Sequence, residues 1–192
     1  MSDIVPTTAP RATREAVLAA VQAARGFPPA EELLEQVFVV GVRGYRRDTM
    51  GTPGVNDRNL YDDAFFVFGP GVFATFNGNT DPSVHRPGIA TLKPGRHLYC
   101  RGWHKKGKPS GHLAYRPATK DESLPVLRDG VEAPRPGIAI NIHRGGLTTT
   151  SSEGCQTLHP KEWPAFDALL SMLLVRHKQV TFPYYLIDGP IT

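Results

Sequence analysis

Glycine and proline recur too often in this chain for long helices to survive: 19 Gly and 18 Pro are scattered among 192 residues, without the strict period of a collagen-like repeat. Each breaker ends or bends an element, so short strands, tight turns and ordered loops are expected. A chain of this length suits one core and one domain of ordinary size. No apolar run approaches the roughly 20 residues of a bilayer-spanning helix, so a soluble protein with no membrane span is expected.

Periodicity places the elements. Val17, Leu18, Val21 and Ala24 share a helical face between a Thr13 cap and a Gly26 stop, and Ala30–Gln36 suits a second short helix. Residues 1–36 read as an N-terminal helical leader or lid, and 37–192 as a single catalytic domain that opens on the buried strand Val37–Val40. Arg43–Tyr61 lacks a period and reads as a long loop, the kind of segment that carries function. Ala64–Phe68 and Val72–Phe76 flank Gly69-Pro70-Gly71 as a hairpin. Strands over Ile89–Leu92, His97–Trp103 and Pro125–Arg128 extend it into a meander. In Gly137–His143, Ile138, Ile140 and Ile142 alternate with Ala139, Asn141 and His143, so one strand ends on a histidine. Pro160 suits a first helical turn, Trp163, Phe166, Leu170, Leu173, Leu174 and His177 form a helical stripe, and Val180–Ile187 closes the chain as a strand.

Charge and cysteine usage narrow the function classes. A net charge of +4 and a pI near 9.2 fit an anionic partner, without choosing among nucleic acid, a membrane surface and cell-wall polymer. Cys100 and Cys155 can form at most one bridge, too few for a disulfide scaffold, which directs attention to a free thiol with a chemical role. Met1–Pro10 has neither a positive start nor an apolar stretch of about 7–15 residues, so no Sec-type signal is read there.

His143, a Gly145-Gly146 and Thr-rich loop, and Ser151-Ser152-Glu153-Gly154-Cys155 set a thiol twelve positions after an imidazole. A loop of that length lets the two side chains meet. A cysteine near its free pKa of about 8.5 is a poor nucleophile at neutral pH, and a neighbouring histidine is the usual activator. Gly154 permits close backbone approach, so the amides of Gly154 and Cys155 are candidate donors to an oxyanion. The plain alternative is a small buried cysteine beside a satisfied strand-end histidine.

The histidine-first order with Ser152-x-Gly154-Cys155 resembles the L,D-transpeptidase catalytic domain, a family of cysteine-dependent peptidoglycan-acting enzymes, here in a divergent form of phage or effector type. The likeness runs from Pro87 to Asp188, with Pro87-Gly88-Ile89-Ala90 and Leu92-Lys93-Pro94-Gly95 similar to the family's substrate-side hairpin. The chain departs from it where Arg144 follows His143 in place of Gly or Ser, where Gln156-Thr157 follow Cys155 in place of a nearby Arg, and in a shorter His-to-Cys loop. The resemblance implies a mainly β fold with flanking helices (α+β), an L,D-transpeptidase-like β-sandwich with a helix after the cysteine. It implies a peptidase or transpeptidase with Cys155 as nucleophile, His143 as base, and Ser152, Arg144, Gln156, His104 and Trp103 toward the substrate. No cofactor and no metal are implied. The expected activity is acyl transfer on peptidoglycan stem peptides through a thioester, more a cleaving hydrolase than a cross-linking transferase. Such a toxin or lysin would be made in the cytoplasm and act at the cell wall or periplasm after release or delivery. Bacterial peptidoglycan is then the partner, with a delivery machinery or an immunity protein as further ones. The reading from another class is a non-catalytic wall-binding or virion structural module.

Other clusters receive plainer readings. His97, Cys100, His104 and His112 look metal-like, but on an extended strand Cys100 and His104 share a face that His97 does not, so no metal site is assigned. Arg101, Lys105, Lys106, Lys108 and Arg116 with Trp103 and Tyr115 mix base-binding residue types, yet read as a solvated basic loop with no nucleic acid expected. Asp62-Asp63 reads as a strand-edge or loop contact.

Overall fold

The structure is a computed structural model and describes residues 4–24, 33 and 35–191. The second short helix expected over Ala30–Gln36 and the helix stop expected at Gly26 fall mostly or wholly outside that set. Strands β1 (Phe38–Arg43), β2 (Asp63–Gly69) and β3 (Val72–Asn79) open the domain. The expected hairpin joins β2 to β3 around Gly71, whose φ of +72° suits glycine in a tight turn. β4 (Ala90–Leu92), β5 (Gly95–His104), β6 (His112–Pro117), β7 (Ser123–Leu124) and β8 (Val126–Arg128) follow. After β9 (Gly137–Ile138), β10 (Ile142–Arg144) and β11 (Gln156–Leu158) the chain closes on a long helix and β12 (Thr181–Asp188).

Eight strands close into one barrel in the order β1-β12-β5-β6-β10-β11-β3-β2, where two separate sheets of a sandwich were expected. Closure removes the exposed edges that an open sheet has to protect. All pairings are antiparallel except β1 with β12 and β10 with β11, and the second exception builds the site described below. β4 pairs with β8, and not with β5 in the hairpin that Pro87–Gly95 suggested; β7 pairs with β9. The fold is thus mainly β with flanking helices.

Every barrel strand sends side chains into one apolar cluster, among them Val39, Phe65, Phe76, Tyr99, Tyr115, Ile142, Leu158 and Tyr184. The helix α2 (Trp163–Arg176) packs Trp163, Phe166, Leu170, Leu173 and Leu174 into that cluster, as the stripe predicted, with Pro164 rather than Pro160 in its first turn. Helix α1 (Arg14–Ala23) is capped by Thr13, whose Oγ1 accepts from the Ala16 amide at 3.2 Å. It buries Val17, Leu18 and Val21 on the outer face of the sheet, against Phe38, Val40, Phe66 and Tyr185. β1, β2 and β12 are therefore covered on both faces, which explains their unbroken apolar runs. Within the segment expected as a leader or lid, helix α1 covers the barrel wall.

The strand read over Gly137–His143 is two strands. Ala139 adopts φ +53°, in the left-handed region, and interrupts the pleat between β9 and β10. Ile138 is 69% exposed while Ile140 and Ile142 are buried, so the three isoleucines do not share a face.

Candidate functional site

Two strand pairs build the site. β10 and β11 run parallel with His143 opposite Thr157, and the Gln156 amide donates to the Asn141 carbonyl at 2.8 Å, which seats Cys155 beside the residues just before His143. On the other side of β10, His143 stands opposite Ala114 of β6, which stands opposite Gly102 of β5. The Arg116 side chain lies over Gly102. Two positions along the same hairpin, His104 faces His112. The period of two in a strand puts all three histidines on one face.

Their rings meet: His104 and His143 stack at 4.0 Å between centroids and 16° between planes, and His112 lies 5.2 Å from His104 and 5.4 Å from His143. Donor atoms of His104, His143 and Cys155 all lie within 4.8 Å of one another. His143 is 3% exposed, and its Nδ1–H donates to the Arg144 carbonyl at 2.7 Å. A carbonyl only accepts, so the proton sits on Nδ1 and Nε2 carries a lone pair. That Nε2 is buried without a hydrogen-bond partner.

Electrostatics keep the pair neutral at rest. Burial, then the neighbouring His104, hold the His143 imidazolium down to about 3, against the Arg144 carbonyl, which acts the other way. Burial, followed by His112 and Lys105, lowers His104 to about 4. Cys155 is 8% exposed, and burial pushes its thiol up to about 11 although the Asn141 backbone amide favours the thiolate. The thiol donates to the Ala139 carbonyl at 3.7 Å. A preformed thiolate–imidazolium pair is therefore not the resting state. Proton transfer from such a thiol to such an imidazole becomes favourable only as the sulfur bonds to an electrophile.

The remaining expected residues divide by where they point. Trp103 (47% exposed) and His104 line an open cavity of about 610 Å3 together with Lys105, Lys106, Glu122, Ala139 and Asn141. Arg144 is exposed. Ser152 and Gln156 are buried. Ser152 Oγ donates to the Cys155 carbonyl at 2.7 Å and accepts from the Gly154 amide at 3.1 Å, a small polar staple beside Cys155. Gln156 is fully buried: its amide nitrogen donates to the Gly154 carbonyl at 3.1 Å, and its oxygen accepts from Tyr184 at 3.0 Å. Both residues are inward because β11 begins at Gln156 and is buried at all three positions.

Gly154 is needed for a different reason from the one expected. Its amide is committed to Ser152, so it is not a free oxyanion donor. Its φ of +121° and a Cβ position 2.6 Å from the Ala90 carbonyl show that glycine is required where β4 crosses beneath the loop. Asn141 and His112 complete the cluster and were not assigned to it from sequence: the Asn141 side-chain amide lies 3.0 Å from His104 Nδ1. The available signal was Asn141 sharing a strand face with His143.

Residues given plain readings behave structurally. His97 is buried with Nε2 2.9 Å from the Lys93 carbonyl, away from the three clustered histidines, and Cys100 is half-buried elsewhere on β5. Tyr115 of the basic stretch is buried and donates to Asp167 at 2.8 Å, while Arg116 is held by Glu122 and the Trp103 carbonyl. Asp63 accepts from the Gly44 and Thr80 amides at 2.5 and 2.6 Å, and Asp81 pairs with Arg43 at 3.1 Å, pinning the ends of the long loop. No helix among the described residues is long and apolar enough to cross a membrane. Comparison with protein-family models, curated proteins and solved structures finds no match, so what this site can do is argued from its geometry and its motif alone.

Proposed function

We propose that this chain is a cysteine-dependent acyl-transfer enzyme of L,D-transpeptidase-like type, acting on the peptide stems of bacterial peptidoglycan through a thioester. The observation that carries the reading is the His143 imidazole, oriented by the Arg144 carbonyl, with its unpartnered Nε2 within reach of a cysteine that ends a Ser152-x-Gly154-Cys155 run. The reaction begins when a carbonyl carbon reaches Cys155 Sγ. As the C–S bond forms, the thiol proton moves to His143 Nε2 and the carbonyl oxygen becomes an oxyanion, with the Cys155 amide as the remaining donor of the expected pair. Collapse expels the amine, which takes the proton from His143. Water, deprotonated by the same Nε2, then releases the acid and restores the thiol.

Cleavage is the form of the reaction we propose, beside the open cavity that His104 lines. Lys105 and Lys106 at that cavity suit an acidic stem. The protein then acts at the wall after release or delivery. Burial of a neutral Cys155 is the observation that favours the rival, a non-catalytic wall-binding or virion module, because a structural thiol needs no activation.

Incubation with purified muropeptides, followed by mass spectrometry, tests the reading. The expected products are shortened stems, with a trapped acyl adduct on Cys155 and neither in Cys155→Ala. Unaltered muropeptides together with wall binding that survives Cys155→Ser select the binding module.

A further inference from the structure

We propose that His104, His143 and Cys155, with His112 as fourth donor, form a site for a divalent cation of the zinc class. Two imidazoles and a thiol whose donor atoms lie within 4.8 Å of one another are the ligand types this ion selects, and His112 adds a third imidazole at 5.2 and 5.4 Å between ring centroids. A tetrahedral site with bonds of about 2.0–2.3 Å needs donors roughly 3.3–3.8 Å apart, so rotamer adjustments of about 1 Å close it.

The second observation is the orientation of the rings. A ligating histidine ordinarily holds its other nitrogen on a carbonyl or amide partner. All three do so here through Nδ1: His143 to the Arg144 carbonyl at 2.7 Å, His112 to the Ser110 carbonyl at 3.0 Å, and His104 to the Asn141 side chain at 3.0 Å. His143 Nε2 and His112 Nε2 are consequently left buried without partners. The Asn141 side-chain oxygen is likewise buried and unpartnered. Turning that amide over lets its oxygen accept from His104 Nδ1–H and leaves His104 Nε2 as a third lone pair. An empty-handed lone pair inside a protein is costly, and three unpartnered atoms in one cluster are more than proton transfer by His143 alone requires.

Binding replaces the Cys155 S–H bond with a sulfur–metal bond and releases one proton to solvent, with no change of oxidation state. The ion would occupy both the nucleophile and the base, so on the acyl-transfer reading, on which this consequence rests, the cation is an off-switch. The site itself does not depend on that reading.

Titration of the purified full-length chain with Co2+, followed by absorption spectroscopy and by calorimetric competition with Zn2+, is the test. The expected result is one ion per chain, with a thiolate-to-cobalt charge-transfer band and tetrahedral ligand-field bands. Cys155→Ser removes the charge-transfer band. His104→Gln and His112→Gln, at half-buried positions that tolerate exchange, each weaken affinity by more than the roughly 10–100-fold expected for Asn141→Ala, which removes only a supporting partner. Absence of stoichiometric binding, or binding whose band persists in Cys155→Ser, overturns the proposal, as does affinity unchanged in both histidine variants. Muropeptide turnover measured in parallel with and without chelator separates the two ideas: turnover without cobalt binding removes the metal site only, and cobalt binding without turnover at any loading removes the acyl-transfer reading only.

Discussion

Two buried polar clusters in this barrel differ in which of their atoms are left unused. Around Asp63 and Asp81, carboxylate oxygens take the Gly44 and Thr80 amides, the Asn56 side chain and the Arg43 guanidinium. Around Cys155, by contrast, the His143 and His112 Nε2 atoms and the Asn141 oxygen have no partner. The first cluster fastens the Arg43–Tyr61 loop to strand ends. The second keeps donor capacity in reserve, which is what a reacting or ion-holding site requires. Neither cluster is fully satisfied, since Asp62, Asn56 and Asn79 in the first also carry a buried unpartnered oxygen; what sets the second apart is that its unused atoms include imidazole nitrogens beside a thiol.

The contrast is sharpened first by removing one member from each cluster. His143→Ala should lower kcat on muropeptides by about 10²–10⁴ with circular dichroism unchanged, on the usual scale for a lost general base. Asp81→Ala should act in the opposite currency: it leaves Arg43 buried and unpaired, costing about 3–5 kcal/mol in urea unfolding, whereas a loss below about 1 kcal/mol would remove the fastening role.

Asp62, in the carboxylate cluster, has one oxygen buried and unpartnered. Burial first, and then the neighbouring Asp63, push its carboxyl up to about 9. Between the ordinary carboxylate range near 4 and about 9, the folded chain holds a proton that the unfolded chain has lost, so this group's contribution to stability falls as pH rises through that window. Asp62→Asn should therefore raise stability by about 1 kcal/mol or more near pH 8 and by little near pH 4. An equal effect at both would show that Asp62 does not hold its proton in the fold.

The smallest expected signal comes from the histidine side. With its imidazolium held down to about 3, His143 should remain neutral, protonated on Nδ1, as pH falls through the range where exposed histidines titrate. Imidazole nitrogen chemical shifts read this directly, and titration of His143 near the ordinary value would restore the ion-pair picture of the resting site.

What was legible in the sequence was local. The β2–β3 hairpin, the Thr13 cap and the α2 stripe from Trp163 to Leu174 each follow from neighbours within a few residues, because turn chemistry and side-chain period act over that range. The pairing of His143 with Cys155 was legible for the same reason, since a short connection between them limits how far apart they can lie. Three features were settled only by the tertiary structure. Ala139 breaks the Ile138–Ile142 pleat through a positive φ that no residue pattern marks on a non-glycine. Ser152, Gly154 and Gln156 turn inward because β11 enters the barrel immediately after the cysteine, against Ala90 and Tyr184 from distant strands. His104 and His112 join the site because strand register across β5, β6 and β10 brings them to the His143 face; His97 lies on the other face, and Cys100, on the same face, stands four positions away opposite Arg116. Register is a property of paired strands far apart in the chain, and a shift of one residue would send each histidine to the opposite side of the sheet.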